Sequence, residues 1–297
     1  MGQSPYWVNV AADLLKQEGI SHDICLGTGW GELIRWLWKS PGKRYPLVYH
    51  IGGTCNKPID LILPFITRPL IWHWIGTDVV SYSHGKASRG WRQTLNNYVI
   101  RKKVKVHLSD SPELAQELSA LGISSAVVRL LPALIAGEIK PLPAKFTVLS
   151  YWPNERKDFY RGDMVLRLAR DFPQADFKIL KAQKTDEKLP DNVKYLGTRE
   201  NMEEIYAHSS LLIRLPRHDS LSAMVLEMLA RGRYVIYNKE FPGCHFAQGY
   251  EDAKMALEKI MKFTEPNLEA ARFVQDHFSV AQEAKKLADY CRRLCEK

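Results

Sequence analysis

The stretch RLPRHDSLSAMVLEMLARGRYVIYN, residues 214–238, decides the fold class of this chain. An apolar strand runs into a polar loop, and Asp219 and Ser220 precede an apolar helix predicted over residues 222–230. Gly232 ends that helix, and a second apolar strand follows at once. A strand, a helix and another strand in this order indicate a parallel sheet with a crossover helix.

The same alternation extends in both directions from this stretch. Strands are predicted at residues 23–26, 45–51, 70–75, 104–108 and 126–131, and again at 146–151, 177–180, 193–196, 211–215 and 234–237. Helices are predicted between them, among others at 32–39, 58–66, 112–121 and 163–171. Residues 132–145 are rich in Pro, Ala and Gly and show no clear period, so we expect an interdomain linker there. Two such runs predict an α/β protein of two Rossmann-like domains, with ligands bound in the cleft between them at the carboxyl ends of the strands.

The composition excludes several classes of protein. The chain has 297 residues, of which 45% are apolar and 25% charged, the balance of an ordinary soluble globular protein. No uninterrupted apolar stretch reaches the length of about 18 residues that a spanning helix needs, and the N-terminus lacks the features of a secretory signal. Five cysteines without framework spacing are typical of reduced thiols in a cytoplasmic protein.

Positive charge is unevenly placed along the chain. The formal net charge is +9, and residues 79–109 hold no carboxylate. The basic residues of that segment are Lys86, Arg89, Arg92, Arg101, Lys102, Lys103 and Lys105. Such a field attracts phosphates, anionic lipid or nucleic acid, and a solvated basic face is the alternative.

Asp219 and Glu227 are the first candidate site residues. They are eight positions apart, which is about 12 Å along a helix axis. Two carboxylates at that spacing can hold opposite ends of an elongated polyhydroxyl ligand, and the helix N-terminus between them favours an anion. A nucleotide sugar meets all these conditions. The alternative is a helix cap plus a helix-surface carboxylate.

This region resembles the C-terminal half of GT-B glycosyltransferases of the retaining, family-four type (glycosyl transferases group 1). That family has the pattern Glu, seven residues, Glu, in a context like E-G-x-x-x-x-x-x-E-A-x-A-x-G-x-P-V-I. The run EMLARGRYVI from Glu227 fits the second half, and Asp219 stands at the first Glu, one methylene shorter. The resemblance implies that Glu227 binds the donor ribose and Asp219 the donor sugar. It also places Ser220, Leu221 and Ser222 at the donor.

A second match lies upstream of that stretch. The family places Arg, four residues and Lys-Gly after the first strand of this domain, and both cations hold the donor diphosphate. Here Arg156, four residues and Arg161 followed by Gly come after the strand predicted at 146–151. Arg in place of Lys keeps the cation and adds bidentate geometry toward phosphate, although a solvated basic loop is the alternative. Gly197, in the run YLG, matches a family position beside the base.

The N-terminal half departs further from the family. The run WIGTDV at residues 74–79 resembles a family strand that ends in His-Gly-x-Asp, whose His often contacts the donor sugar. Ile75 takes the place of that His. His73 is expected on the same strand face and is the candidate substitute, with a partly buried structural role as the alternative. Gly76 and Asp78 are expected to line the acceptor side of the cleft.

The ends of the chain decide the expected domain boundaries. The family's first strand is expected to be missing or replaced, so that the chain begins with a helix near Tyr6 and the loop at 27–31 is the fallback for the family's Gly-rich loop. The segment from residue 271 resembles the family's final helices, which cross back to the first domain. The expected domains are therefore an acceptor-side domain at 1–138, a nucleotide-sugar domain at 139–270, and a C-terminal helix at 271–297 packed on the first domain.

A tryptophan-rich segment raises the question of membrane contact. Trp30, Trp36 and Trp38 alternate with basic residues between positions 30 and 44. A basic aromatic helix can lie at a membrane interface, whereas core tryptophans on a crossover helix are the favoured alternative.

Other chemistries lack their sequence marks. The chain has no Asp-x-Asp, no paired zinc spacing and no P-loop. The sequence therefore predicts a cytoplasmic, metal-independent hexosyltransferase without a cofactor, with peripheral membrane contact as an option. Its expected partners are a nucleotide-sugar donor and a sugar, lipid-linked or other hydroxyl acceptor, without nucleic acid. Two rivals stay open, a nucleotide-sugar epimerase on the same plan and a degenerate transferase that only binds its ligand.

Overall fold

The computed structural model describes residues 5–26, 45–52, 68–83, 90–183 and 188–296, together with residues 31, 34 and 38. Most of the loop at 27–31 and of the helix predicted at 32–39, and the whole helix predicted at 58–66, lie outside the described residues. The same holds for Trp30, Trp36, Lys86 and Arg89.

The chain divides into two units, one formed by Met1–Pro132 with Ser279–Lys297 and the other by Ala133–Phe278. The first divide comes before the boundary expected after residue 138, and the second comes after the boundary expected at residue 270. Both shifts have the same physical cause, because the segments next to the two expected boundaries are bound to the second unit. Its side chains bind residues 137–141, and a helix that follows residue 267 packs on it.

The first unit is built on a four-stranded parallel sheet in the order β1-β2-β3-β4. The strands are β1 (Val48–Ile51), β2 (Leu70–Trp74), β3 (Val104–Ser109) and β4 (Ala126–Val127). The helices are α1 (Pro5–Gln17), α2 (Thr77–Ser83), α3 (Trp91–Tyr98), α4 (Pro112–Ala120) and α10 (Val280–Cys295). A π-helical turn, Val99–Lys103, joins α3 to β3.

Local sequence explains these elements. All five residues of β2 are buried, as expected for a central parallel strand that is covered on both faces. Helix α4 starts where Ser111 accepts a hydrogen bond from the Leu114 amide and Pro112 occupies the first turn. Helices α1 and α10 pack together, and Leu14 and Leu287 are buried in one core cluster with the sheet.

The second unit is built on a six-stranded parallel sheet in the order β10-β9-β8-β5-β6-β7. The strands are β5 (Thr147–Tyr151), β6 (Asp176–Leu180), β7 (Val193–Gly197), β8 (Leu211–Arg214), β9 (Tyr234–Tyr237) and β10 (His245–Phe246). The helices are α5 (Gly162–Asp171), α6 (Met202–Ala207), α7 (Ala223–Ala230), α8 (Tyr250–Ile260) and α9 (Leu268–His277). The stretch at 214–238 thus forms the end of β8, then α7 and β9, as predicted.

Two buried arginines fasten the expected linker to the second unit. Arg233 donates to the carbonyls of Lys140 and Pro141 at 3.0 Å each. Arg231 lies so close to Gly137 that a Cβ there would stand 2.3 Å from the guanidinium carbon. Residues 137–141 therefore belong to the second unit rather than to a free connection. Among the described helices, none combines the length and the apolar character that crossing a bilayer requires.

Candidate functional site

The strand order of the second sheet reverses between β5 and β8. The chain runs from β5 to β6 and β7 on one side, then returns to β8 and β9 on the other. In open parallel sheets, ligands bind outside the carboxyl ends of the strands at such a reversal. Tyr151 ends β5 and Arg214 ends β8, so these two residues mark the position of the candidate site.

Arg214 and Asp219 form an ion pair across the loop that follows β8. The Arg214 Nε donates to the Asp219 Oδ2 at 2.8 Å, and the two side chains are only 11% and 14% exposed. Burial by itself lowers the pKa of the guanidinium, but the neighbouring Asp219 outweighs that effect and raises this pKa above its usual value. The Arg214 guanidinium is therefore charged, and its hydrogen bond holds the Asp219 side chain in place.

An aromatic ring connects this ion pair to Arg156. The Tyr160 ring centroid lies 5.3 Å from the guanidinium of Arg214 and 5.4 Å from that of Arg156. Arg214 also lies 5.7 Å from the Tyr151 ring. The structure thus brings Arg156 and Asp219, two residues 63 positions apart, into one group. We call these five residues, Tyr151, Arg156, Tyr160, Arg214 and Asp219, the arginine–tyrosine cluster.

Arg161 lies at the start of α5, in a left-handed backbone conformation with φ 54°. Non-glycine residues rarely adopt this conformation, and it is commonest where function or turn geometry requires it. The guanidinium donates to the Gln248 carbonyl oxygen. Arg161 also lines an open depression of about 450 Å³, whose other lining residues are Asp158, Asp163, Met164 and Arg217. Of these, Arg217 pairs with Asp158 at 2.7 Å on the exposed rim.

The loop from Asp219 leads directly into helix α7. Ser220 and Ser222 are buried, and the Tyr237 hydroxyl donates to the Ser220 carbonyl at 3.0 Å. Leu221 between them is half-buried. The Ser222 side chain does not cap the helix, although its carbonyl accepts from the Val225 amide at 3.0 Å, so the side chain leaves the amides of Ala223 and Met224 to another acceptor. An anion placed before α7 would meet these amides and the positive end of the helix dipole.

Glu227 lies inside α7 and is 2% exposed. The alternative of a helix-surface carboxylate is therefore wrong for this residue. A buried carboxylate needs a polar partner, and here the Tyr206 hydroxyl, on the neighbouring helix α6, donates to Glu227 Oε2. Burial raises the pKa of the Glu227 carboxyl, and the bond from Tyr206 opposes that rise.

Arg231 lies behind the Tyr206 ring, at the carboxyl end of α7. Its guanidinium is 5.2 Å from the ring centroid and donates to the Glu227 carbonyl at 2.8 Å. It also binds both carboxylate oxygens of Glu203, one of them through Nε at 3.2 Å. Because Arg231 is 1% exposed, it contacts Glu203, Tyr206 and Glu227 from the protein interior and not from the surface.

Gly197 ends β7 with φ 65°, a left-handed conformation that glycine adopts without strain. Its carbonyl accepts from the Lys181 amide at 2.8 Å, and its amide donates to the Ala182 carbonyl at 3.2 Å. Within the described part of the chain, and apart from its two chain neighbours, no atom lies within 4 Å of the position that a Cβ would occupy. The backbone at this point is therefore open to the close approach of a flat ligand.

The candidate residues of the first unit surround the end of β2. His73 lies within the strand, is 0% exposed and is hydrogen-bonded through Nδ1 to the Tyr49 hydroxyl at 2.5 Å. Burial lowers its pKa to about 3, so it is neutral at physiological pH. Gly76 has φ 136°, and its amide donates to Asp78 Oδ1 at 2.8 Å. Asp78 also accepts from the amides of Ile75 and Val79, which stabilises the turn into α2.

Sequence reasoning missed several members of these groups. Arg214 was within the deciding stretch but received no role, although a cation that ends an apolar strand is itself a usable signal. Tyr160 and Tyr206 carried no motif, because their roles depend on neighbours far away in sequence. Within the ranges described above, no three His, Cys, Asp or Glu side chains are placed to hold a metal ion.

No protein-family model matches the chain, and no curated protein matches it. Solved structures do. HepE from Anabaena, solved in complex with UDP-glucose, is similar over 95% of this chain and 88% of its own, with a TM-score of 0.70 and 13% sequence identity. Sucrose-phosphate synthase from Thermosynechococcus elongatus is similar over 89% and 77%, with a TM-score of 0.69 and 12% identity.

WaaG, a glycosyltransferase involved in lipopolysaccharide biosynthesis, is similar over 97% of each chain, with a TM-score of 0.65 and 10% identity. Identities this low show the fold alone. The prediction of two parallel sheets flanked by helices is confirmed, and the chain has the fold of these GT-B glycosyltransferases.

Proposed function

We propose that this chain is a retaining, family-four-type glycosyltransferase, which moves a hexose from a nucleotide-diphosphate donor to an acceptor hydroxyl. The observation that carries the proposal is the position of the arginine–tyrosine cluster. It lies at the strand reversal of the second unit, directly before the helix that bears Glu227. HepE, which shares the fold, was solved with UDP-glucose.

The donor is assigned to the second unit from the charges found there. Arg156 and Arg161 are the cations for the diphosphate, and the uncapped start of α7 adds amide donors for the same anion. Asp219, held by Arg214, accepts hydrogen bonds from the sugar hydroxyls. Glu227 accepts hydrogen bonds from the ribose, and the open backbone at Gly197 faces the base.

The reaction breaks the bond between the sugar C1 and the diphosphate oxygen, and forms a bond from C1 to the acceptor oxygen on the same face. Negative charge develops on the departing diphosphate, where preorganised cations lower the barrier most. The departing phosphate oxygen takes the proton of the acceptor hydroxyl, so no histidine base is required. We assign no cofactor and no metal ion to this step, since the arginines supply the positive charge.

The acceptor is assigned to the first unit because of its basic surface. Lys102 and Lys105 are exposed, and so are two aromatic side chains of the same segment, Trp91 and Tyr98. Trp38 is also exposed. This chemistry fits a phosphorylated acceptor or one carried at the surface of an anionic membrane. We therefore propose a cytoplasmic enzyme with peripheral membrane contact and without a nucleic-acid partner.

A binding protein without turnover is the second candidate. The observation that favours it is that Asp219 is already paired with Arg214, and that His73 is buried within β2. An epimerase on the same plan is a further outcome of the same experiment.

The test is incubation of the purified chain with a panel of radiolabelled nucleotide sugars, with and without simple acceptor sugars. Transfer, or slow hydrolysis of one donor, supports the transferase. An altered free nucleotide sugar supports the epimerase, and saturable binding without turnover supports the second candidate. Absence of binding to every donor would overturn all three.

A further inference from the structure

The side chain of Glu227 has one oxygen occupied and one left over. Tyr206 donates to Oε2, and no residue in the described part of the chain forms a hydrogen bond to Oε1. A carboxylate with one oxygen fixed by a phenol cannot rotate freely about its terminal torsion. The direction in which Oε1 accepts hydrogen bonds is therefore decided by the position of Tyr206.

The position of Tyr206 is in turn determined by charges behind it. Tyr206 is 1% exposed, and its ring lies against the Arg231 guanidinium at 5.2 Å. Glu203 fixes that guanidinium through two hydrogen bonds, and a third runs to the Glu227 carbonyl. Glu203 and Tyr206 both lie on α6, and Arg231 directly follows α7. The pair of Glu203 with Arg231 and the hydrogen bond from Tyr206 to Glu227 therefore join the two helices at two places.

We propose that Tyr206 is a positioning residue for ribose recognition: its hydroxyl binds Oε2 of Glu227 and directs the free Oε1 toward the ribose hydroxyls of the donor. This inference rests on the proposed function, because it takes Glu227 as the ribose ligand. It adds a second residue to that site. It also explains why a carboxylate so deeply buried can accept hydrogen bonds from two hydroxyls. The groups that face the carboxylate are Tyr206, Arg231 and, behind Arg231, Glu203.

The test is a comparison of ligands as well as of proteins. Calorimetric titration measures the binding of UDP, GDP and ADP to the full chain, and then of the 2′,3′-dideoxy form of the nucleotide that binds. Tyr206→Phe removes the hydroxyl and keeps the ring against Arg231. Tyr234→Phe is the matched control, because the Tyr234 hydroxyl lies in the same unit and donates to the Glu265 carbonyl at 2.9 Å rather than to Glu227.

We expect Tyr206→Phe to weaken binding of the ribonucleotide about tenfold, the value of one hydrogen bond to a charged group. Binding of the dideoxy form should change less than about twofold, because its sugar makes no use of Glu227. In a Glu227→Gln background, the Phe substitution should cause no further loss. As the pH is lowered, the affinity of the Phe variant should also begin to fall at a higher pH than that of the wild type, because the bond from Tyr206 lowers the pKa of Glu227 and the variant lacks it.

Equal loss of affinity for both forms of the nucleotide would show a merely structural role and overturn the inference. Unchanged affinity for the ribonucleotide would overturn it as well, while leaving the proposed function in place. If the wild type binds none of the three nucleotides, the proposed function fails and the inference fails with it. A melting curve accompanies each variant. Should the Phe variant be unfolded at the assay temperature, Glu203→Gln, which loosens Arg231, is expected to give the same selective loss to a smaller degree.

Discussion

The Arg214 Nε lies 2.8 Å from the Asp219 Oδ2, and both side chains are almost entirely removed from solvent. This pair joins the end of β8 to the start of α7, the two elements between which the candidate site lies. Because one oxygen of Asp219 is engaged by Arg214, a bound ligand meets a carboxylate of fixed direction. The pair therefore contributes to stability and also fixes the orientation of the Asp219 carboxylate. Mutations can separate these two effects.

Removal of Arg214 should destabilise the chain. In Arg214→Met, the Asp219 side chain, which is only 14% exposed, is left without its counter-ion, and we expect the free energy of unfolding to fall by about 3 kcal/mol. Asp219→Asn added to that variant should restore part of the loss, because a neutral amide needs no counter-ion. Arg217→Met is the matched control, since Arg217 and Asp158 are 60% and 84% exposed, and it should change stability by less than about 1 kcal/mol. Urea denaturation measures all of these, and similar losses in Arg214→Met and Arg217→Met would contradict the account.

Gly137 should tolerate no side chain. In Gly137→Ala the new Cβ would stand 2.3 Å from the guanidinium carbon of Arg231, which cannot retreat because Glu203 and the Glu227 carbonyl hold it. We expect a loss of about 2 kcal/mol in the free energy of unfolding, typical of overpacking. Gly249→Ser is the control, because no described atom outside its two chain neighbours lies within 4 Å of its Cβ position, and because serine favours a helix N-cap. An unchanged melting temperature for Gly137→Ala would contradict the packing of residues 137–141 on Arg231.

Asp110 should contribute stability to the first unit that is lost as the pH rises toward neutrality. This residue follows β3, is 4% exposed and accepts from the Leu130 amide at 2.7 Å. Burial raises its pKa to about 7, and Glu283 and Asp78 add to the rise, while Arg129 opposes it. A carboxyl whose folded pKa exceeds its unfolded pKa stabilises the fold below the unfolded value, and this contribution is lost as the pH rises through about 7.

Asp110→Asn tests this sign directly. The amide oxygen still accepts from Leu130, so the variant keeps the bond and loses the titration. Relative to the wild type, we expect it to gain roughly 3 kcal/mol of unfolding free energy between pH 4 and pH 8. The histidines with lowered pKa values, His50 and His73, are common to both proteins and cancel in the difference. A difference that does not change with pH would show that Asp110 is not protonated in the folded state.

Transfer should continue when metal ions are removed. Arg156 and Arg161 are the cations that we assign to the diphosphate, and the sequence has no Asp-x-Asp pair to hold a metal there. We expect the rate of transfer, measured with the donor found in the panel, to be unchanged by EDTA. Full loss of activity with EDTA, restored by manganese or magnesium, would remove the basis for this assignment.

The sequence predicted the alternation of strands and helices well, because apolar periodicity and glycine stops are local signals. The run at 214–238 therefore became a strand, a helix and a strand in the structure as expected. It could not predict the partners of the charged residues. That Asp219 turns to Arg214, and Glu227 to Tyr206, depends on loop paths and on helices that only the folded chain brings together.

Which unit holds residues 137–141 could not be predicted for a similar reason. A segment rich in Pro, Ala and Gly has the composition of a linker, yet residues 137–141 are bound by Arg231 and Arg233 from almost 100 positions away. Contacts between residues so far apart in the sequence leave no signal in the composition of one segment. In the strand predicted at residues 70–75, likewise, alternation places His73 and Ile75 on one face, but it does not show that His73 is 0% exposed.

The central claim is that Glu227 binds the donor, and calorimetric titration of the donor nucleotide into Glu227→Gln tests it most directly. The amide still accepts from Tyr206, so the fold should be kept, as a melting curve will show. Loss of charge-assisted bonds to the ribose should weaken binding at least about tenfold. Glu204→Gln, an exposed glutamate on the same neighbouring helix as Tyr206, should bind like the wild type. Equal donor affinities in wild type and Glu227→Gln would contradict the site assignment, even though the GT-B fold stands.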